Sequence, residues 1–182
     1  MRRWWLGFCF LILACGQTEV ERRAIHMPRV GAPAPHFALP ANDGSVVNLE
    51  ALRGRRVVLY FYPKDRTPGC SLEAASFRDR LATIDSLGAV VLGVSVDNQE
   101  SHQRFCQELN LNFRLLSDTA GTVCRAYGAL DKDGRAYRAT FVIDEQGNVR
   151  AVFPVVAVQG HVEEVLRILR AMPPLHTSES QF

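Results

Sequence analysis

The sequence predicts an α/β domain built on a central mixed β-sheet flanked by helices, and three observations carry that prediction. Arg56 to Tyr62 and Ala89 to Val96 are nearly continuous apolar runs, the pattern of strands buried on both faces. Each is followed by a stretch with apolar residues at helical spacing, so strand and helix alternate. Nearer the C-terminus, Arg138 to Asp144 and Asn148 to Phe153 flank Glu145-Gln146-Gly147 and read as an antiparallel hairpin, which makes the sheet mixed. At 182 residues the chain suits a single hydrophobic core.

Taken in order, Met1-Arg2-Arg3 is a short positive start, and Trp4 to Leu13 is an uncharged run shorter than the ~20 apolar residues of a spanning helix. It reads as a secretory signal. Its end, Ile12-Leu13-Ala14-Cys15, resembles a bacterial lipobox, in which Cys15 becomes the acylated first residue of the mature protein. Residues 1–15 are thus expected to direct the chain to the cell envelope, on the periplasmic side and lipid-anchored. Two alternatives stay open: ordinary cleavage with Cys15 incidental, and a cytoplasmic chain starting at Met27. Residues 16–35 lack any period and read as a tether.

The domain is expected over residues 36–172. Asn42-Asp43-Gly44 joins two short extended pieces, Ala38 to Leu39 and Val46 to Leu49. Pro63 stops the first long strand, and residues 68–86 carry Leu72, Ala75, Phe77, Leu81 and Ile84 at helical spacing. Asn98 is suited to cap a helix reaching Leu109 with Phe105, Cys106 and Leu109 inward. A short strand at Phe113 to Leu115 and a short helix at Thr119 to Tyr127 precede the hairpin. Val162 to Met172 is a closing amphipathic helix, ended by Pro173-Pro174, with residues 173–182 as a flexible tail.

Charge excludes one class of partner. Lys plus Arg is 21 against 19 Asp plus Glu, and two of the positive residues, Arg2 and Arg3, belong to the signal segment. The remainder balances, so nothing electrostatic points to nucleic acid, or to a membrane surface apart from the lipid anchor. The five cysteines, at 9, 15, 70, 106 and 124, include no C-x-x-C pair and no Cys/His cluster at zinc spacing, so no metal is expected.

Chemistry concentrates after the first long strand, in Tyr62-Pro63-Lys64-Asp65-Arg66-Thr67-Pro68-Gly69-Cys70-Ser71-Leu72-Glu73. Thr67 is a natural N-cap and Pro68 a natural first helical residue, which puts Cys70 in the first turn, where free N–H groups and the helix dipole favour a thiolate. Bringing a cysteine from ~8.5 to ~6 requires about 3.4 kcal/mol, whereas a helix N-terminus supplies ~0.3 to 1. A cation must contribute the rest; Lys64, Arg66 and the distant Arg138 are the candidates. Ionisation gains only about thirtyfold in thiolate at neutral pH, so donors must also stabilise charge developing on the substrate.

Pro63-x-x-x-Thr67-x-x-Cys70 matches the peroxiredoxin signature. Phe61-Tyr62-Pro63-Lys64-Asp65, Thr67-Pro68-Gly69-Cys70 and Phe77-Arg78-Asp79 resemble the bacterioferritin-comigratory or PrxQ subfamily, a likeness running from about Val30 to Met172. Arg138-Ala139-Thr140-Phe141-Val142-Ile143-Asp144 resembles the segment that delivers that family's active-site arginine. The resemblance implies a thioredoxin-like fold and thiol-dependent reduction of hydrogen peroxide and organic hydroperoxides without a cofactor. Cys70 would be the peroxidatic nucleophile, Thr67 would hydrogen-bond a peroxide oxygen, Pro63 would shield the site, and Arg138 would stabilise thiolate and transition state. Glu73, one turn along, would orient that arginine. A thioredoxin-like reductant is the implied partner, and relatives are often monomers.

One departure concerns the second thiol. Many relatives place a resolving cysteine five residues after the first, where this chain has Ala75. Another subset uses the following helix, and Cys106, at an interval of 36, fits that arrangement. Cys106 as a small core residue is the alternative; the enzyme would then be a one-cysteine peroxidase with an external resolving thiol. Cys124 reads as a buried filler, and His102 either tunes Cys106 or sits on a solvated helix face. A thioredoxin-like dithiol oxidoreductase lacks its first thiol here, since Thr67 stands where C-x-x-C chemistry needs it. A binding module without turnover would not need the whole constellation.

Overall fold

The computed structural model describes residues 26–174. The expected signal segment, Cys15, the first part of the tether and the end of the tail lie outside the described residues.

Strands β1 (Ala38–Pro40) and β2 (Val46–Asn48) pair as a small antiparallel ribbon, followed by a 3-10 turn, Leu49–Leu52, capped by the Asn48 side chain. Then come β3 (Arg56–Phe61), α1 (Pro68–Ser86), β4 (Ala89–Ser95), α2 (Gln99–Leu109), β5 (Arg114–Ser117), α3 (Thr122–Ala126), β6 (Ala139–Ile143), β7 (Val149–Phe153) and α4 (His161–Ala171). The main sheet has the order β5-β4-β3-β6-β7; β3, β4 and β5 run parallel while β6 and β7 run antiparallel to their neighbours. Parallel neighbours demand a crossover, which α1 and α2 supply.

Alternation along β3 splits the core in two. Val57, Leu59 and Phe61 face a layer completed by Phe37, Tyr127, Phe141 and Ile143, whereas Val58 and Tyr60 face Phe77, Val142 and Leu166 beneath α1 and α4. Tyr60 stacks between Phe77 and Tyr62, at centroid separations of 4.8 and 5.4 Å. Gly93 on β4 makes this possible: a Cβ there would lie 2.7 Å from the Tyr60 ring and 2.6 Å from Leu115.

Several expectations are corrected. The end of the tether packs instead of hanging free: Gly31 N donates to Val149 O, Val149 N to Ala32 O and Ala34 N to Gly147 O, with Met27 and Ala34 buried. The reason is that β7 would otherwise be an unpaired edge. Pro173, expected to open the tail, accepts a hydrogen bond from the buried Arg56. The helix expected from Thr119 starts at Thr122, because Asp118 receives the Thr122 and Cys124 amides and Gly121 takes a left-handed φ of 65°. The strand expected at Phe113 to Leu115 is shifted to Arg114–Ser117, where it pairs with β4, and Leu109 is half-buried at the end of α2.

Candidate active site

Register delivers the distant cation. Phe61 pairs with Ala139, so the antiparallel β3–β6 ladder sets Arg138, one residue before Ala139, beside the chain leaving β3. That departing chain, residues 62–67, leads into α1 with Thr67 at the N-cap position, Pro68 in the first turn and Cys70 two residues on. With Pro68 lacking an N–H, the Gly69 and Cys70 amides are those without an acceptor inside the helix.

Arg138 Nη2 donates to Cys70 Sγ at 3.2 Å, and Nη1 pairs with Glu73 Oε2. One guanidinium therefore bridges the sulfur and a carboxylate one turn along the same helix face. A Cβ on Gly69 would lie 3.3 Å from Arg138 Nη2, so the glycine leaves the room the guanidinium occupies. Burial works against the charge of Arg138, but Glu73 and the Cys70 sulfur outweigh it and hold its pKa above the ordinary value. Glu73 is fully buried, and burial pushes it up to about 7 against the opposing pull of Arg138. Its Oε1 makes no hydrogen bond. The other candidate cations do not serve the sulfur: Arg66 is exposed and pairs with Glu108, and Lys64 is exposed.

Cys70 is 2 % exposed and lies among Tyr62, Ala74 and Phe77. Pro63 and Thr67 are half-buried. Thr67 occupies the N-cap position, yet its hydroxyl makes no cap bond and donates to Lys64 O at 3.2 Å. The hydroxyl oxygen thus keeps its capacity to accept a hydrogen bond.

Cys106, 7 % exposed on α2, is a free thiol in the same apolar cluster as Cys70, and burial pushes it up to about 12. Cys124 is fully buried beside Asp118, and its thiol is pushed up as well. His102 is not on a solvated face: it is fully buried, with Nδ1 2.9 Å from Asp65 Oδ2 and Nε2 3.2 Å from Leu116 O. Asp65 also accepts from Tyr62 Oη at 2.7 Å and Ser101 Oγ at 2.7 Å. Burial pulls Asp65 up, but these partners, His102 foremost, hold it below its ordinary value.

Two members of this assembly gave no signal in the sequence, Asp65 as a hub and His161. Nε2 of His161 lies 2.8 Å from Thr140 Oγ1, and the ring packs edge-on against Phe77 and Phe153. Burial, with the charge of Arg138 adding to it, lowers its pKa to about 4. The period-two alternation that puts Thr140 of β6 on the same side as Arg138, the residue before that strand, is the clue that would have brought a helix residue under suspicion.

Residues 30–152 match the model of the AhpC/TSA family. A Coxiella burnetii relative named as a peroxiredoxin of the Bcp type is 50% identical over 121 residues, covering 63% of this chain and 80% of the relative. Peroxiredoxin Bcp of Bacillus subtilis is 41% identical over 150 residues, covering 79% and 96%. Among solved structures, a Cys-to-Ser variant of Xylella fastidiosa PrxQ superposes with a TM-score of 0.76 at 33% identity, over 79% of this chain and 96% of that one. The Xanthomonas campestris bacterioferritin comigratory protein, described for its alkyl peroxide reduction activity, gives 0.74 at 33% identity, over 79% and 98%.

Proposed function

This chain belongs to the AhpC/TSA family and, within it, to the Bcp/PrxQ peroxiredoxins, and from that premise we propose that Cys70 reduces hydroperoxides by direct attack on the O–O bond. The carrying observation is the guanidinium of Arg138 shared between Cys70 Sγ and Glu73. The Cys70 thiolate attacks the terminal peroxide oxygen, the O–O bond breaks, and the leaving alkoxide or hydroxide takes a proton to depart as alcohol or water. Cys70 is left as a sulfenic acid. Charge develops on both oxygens during this step, and Arg138, fixed before substrate arrives, offers its donors where that charge appears. Thr67 accepts from the peroxide O–H, and Pro63 walls the site from bulk water.

In the second step the Cys106 thiol attacks the sulfenic sulfur and expels water, giving a Cys70–Cys106 disulfide that a thioredoxin-like dithiol reduces. Thiolates are the nucleophiles in such exchange, and at about 12 the enclosed Cys106 is ionised about a thousandfold less than an ordinary thiol. Resolution therefore follows opening of α2. The burial of Cys106 also favours a second reading, a one-cysteine cycle in which an external thiol reaches the sulfenic acid. Organic hydroperoxides are proposed as substrates on the strength of the Xanthomonas campestris relative. On the lipobox-like pattern alone, the mature protein is proposed to be anchored through Cys15 in the bacterial envelope, where fractionation and intact mass would find a multiply acylated chain.

Peroxide added to the reduced protein tests the chemistry. The expected result is loss of two thiols per chain, abolished in Cys70→Ser and stopping at a sulfenic acid in Cys106→Ser. A clean intrachain disulfide in Cys106→Ser would move the resolving role to Cys124.

A further inference from the structure

Helix α2 is pinned to the active-site loop at both ends, by neighbouring residues of that loop. At its N-terminal end, His102 and Ser101 bond Asp65, and the Asp65–His102 pair is essentially without solvent contact, at 2% and 0% side-chain exposure. At its C-terminal end, Glu108 pairs with Arg66, whose φ of 62° is a conformation side-chain-bearing residues rarely adopt. Asp65 and Arg66 lead directly through Thr67 into the helix that carries Cys70. Cys106 sits between the two pins. Nδ1 of His102 lies against the Asp65 carboxylate, with Tyr62 Oη 3.3 Å away, and Nε2 lies against the Leu116 carbonyl, so the ring is held from both sides. Asp65 is tied further by its own amide, which donates to Asp97 Oδ2 at 2.9 Å, and by Tyr62.

We propose that the buried Asp65–His102 pair, backed by the exposed Arg66–Glu108 pair, is a clamp that sets how often the helix bearing Cys106 opens, and so decides the fate of oxidised Cys70. The proposal rests on Cys106 as the resolving thiol. Once Cys70 is a sulfenic acid it has two exits. If α2 opens, the Cys106 thiol attacks the sulfenic sulfur, the S–O bond breaks, and water leaves with the disulfide formed. If α2 stays closed, the sulfenate attacks a second hydroperoxide, which departs as alcohol or water, and Cys70 becomes a sulfinic acid outside the thiol cycle. His102 touches neither sulfur nor substrate in this account; it is a positioning residue. A tight clamp makes an enzyme that is readily inactivated by excess peroxide, and a loosened one resists it.

The test is a peroxide titration under turnover with a dithiol reductant, followed by mass spectrometry of the Cys70 peptide as disulfide or sulfinic acid. Removing a buried, charge-assisted hydrogen bond in His102→Asn is expected to raise the peroxide concentration that leaves half the chains sulfinic by about tenfold. Glu108→Ala, on the exposed pair and safe for folding, is expected to raise it about twofold. The rate of the first oxidation of Cys70 stays unchanged in Glu108→Ala. Combining His102→Asn with Cys106→Ser must abolish the gain, since the clamp acts only through the resolving thiol; a fold merely weakened would still shift. Half-points that coincide with the parent in both single variants overturn the clamp while leaving the function standing. If instead the disulfide of the parent protein survives Cys106→Ser, the resolving assignment falls and the clamp with it.

Discussion

A single guanidinium holds the site together, and its two contacts make different demands on residue 138. Arg138→Lys keeps a positive charge but offers a point charge in place of a fork, so it cannot reach Cys70 Sγ and Glu73 together. The expected outcome is a fall of about 10² to 10³ in the second-order rate of peroxide reduction, read by competition kinetics, with the circular dichroism spectrum unchanged. Gly69→Ala approaches the same contact from the helix: its Cβ, 3.3 Å from Arg138 Nη2, obliges the guanidinium to retreat by a few tenths of an ångström. Alanine is the better helix former by up to about 1 kcal/mol, so the variant is expected to keep or gain stability in urea while losing about tenfold in rate. Stability and activity moving in opposite directions would mark Gly69 as a residue kept for the site. The meeting of Arg138 with Cys70 and Glu73 was legible because a local motif and one distant arginine carried it. Asp65 and His102 were not: their partnership spans 37 residues and depends on how the loop and α2 meet, which no local pattern encodes.

At the level of elements, the long strands and helices were readable since their periods are set by which faces are buried. Boundaries that depend on a single side chain were not, as with the Asp118 cap that delays α3 to Thr122, and neither was the use of residues 31–34 to cover the β7 edge. What the strand pattern also conceals is that β4 must be thin at Gly93. Tyr60 lies against it and cannot step aside, being stacked between Phe77 and Tyr62, the latter bonded to Asp65 of the active-site loop. Gly93→Ala is therefore expected to destabilise the fold by about 1 to 3 kcal/mol through overpacking, visible as a lower urea midpoint with unchanged slope. Because the strain passes along the aromatic stack to Tyr62, the rate of Cys70 oxidation in the folded variant is expected to fall as well. A stability loss with an unaltered rate would show the stack and the site to be mechanically separate.

Over the whole molecule, two buried groups around Arg138 pull stability in opposite directions with pH. Glu73 is raised in the fold to about 7 from an ordinary 4.5, so its contribution is fully present below about 4.5 and is lost as pH rises through 7. His161 is lowered to about 4 from 6.5, so its contribution is present above 6.5 and is lost as pH falls through 4. Each displacement corresponds to about 3 kcal/mol, and between pH 4.5 and 6.5 the two slopes oppose each other. The cancellation is structural: burial disfavours the charged form of both groups, one of which gains charge as pH rises while the other loses it. Urea unfolding of the parent and of Glu73→Gln from pH 4 to 8 should therefore diverge. With the carboxyl gone, the uncompensated His161 slope remains, and the variant gains about 3 kcal/mol relative to the parent as pH rises from 4.5 to 7. His161→Asn is expected to show the opposite divergence, confined to pH 4 to 6.5. Parallel curves for either variant would mean that the group concerned titrates alike in the folded and unfolded chain.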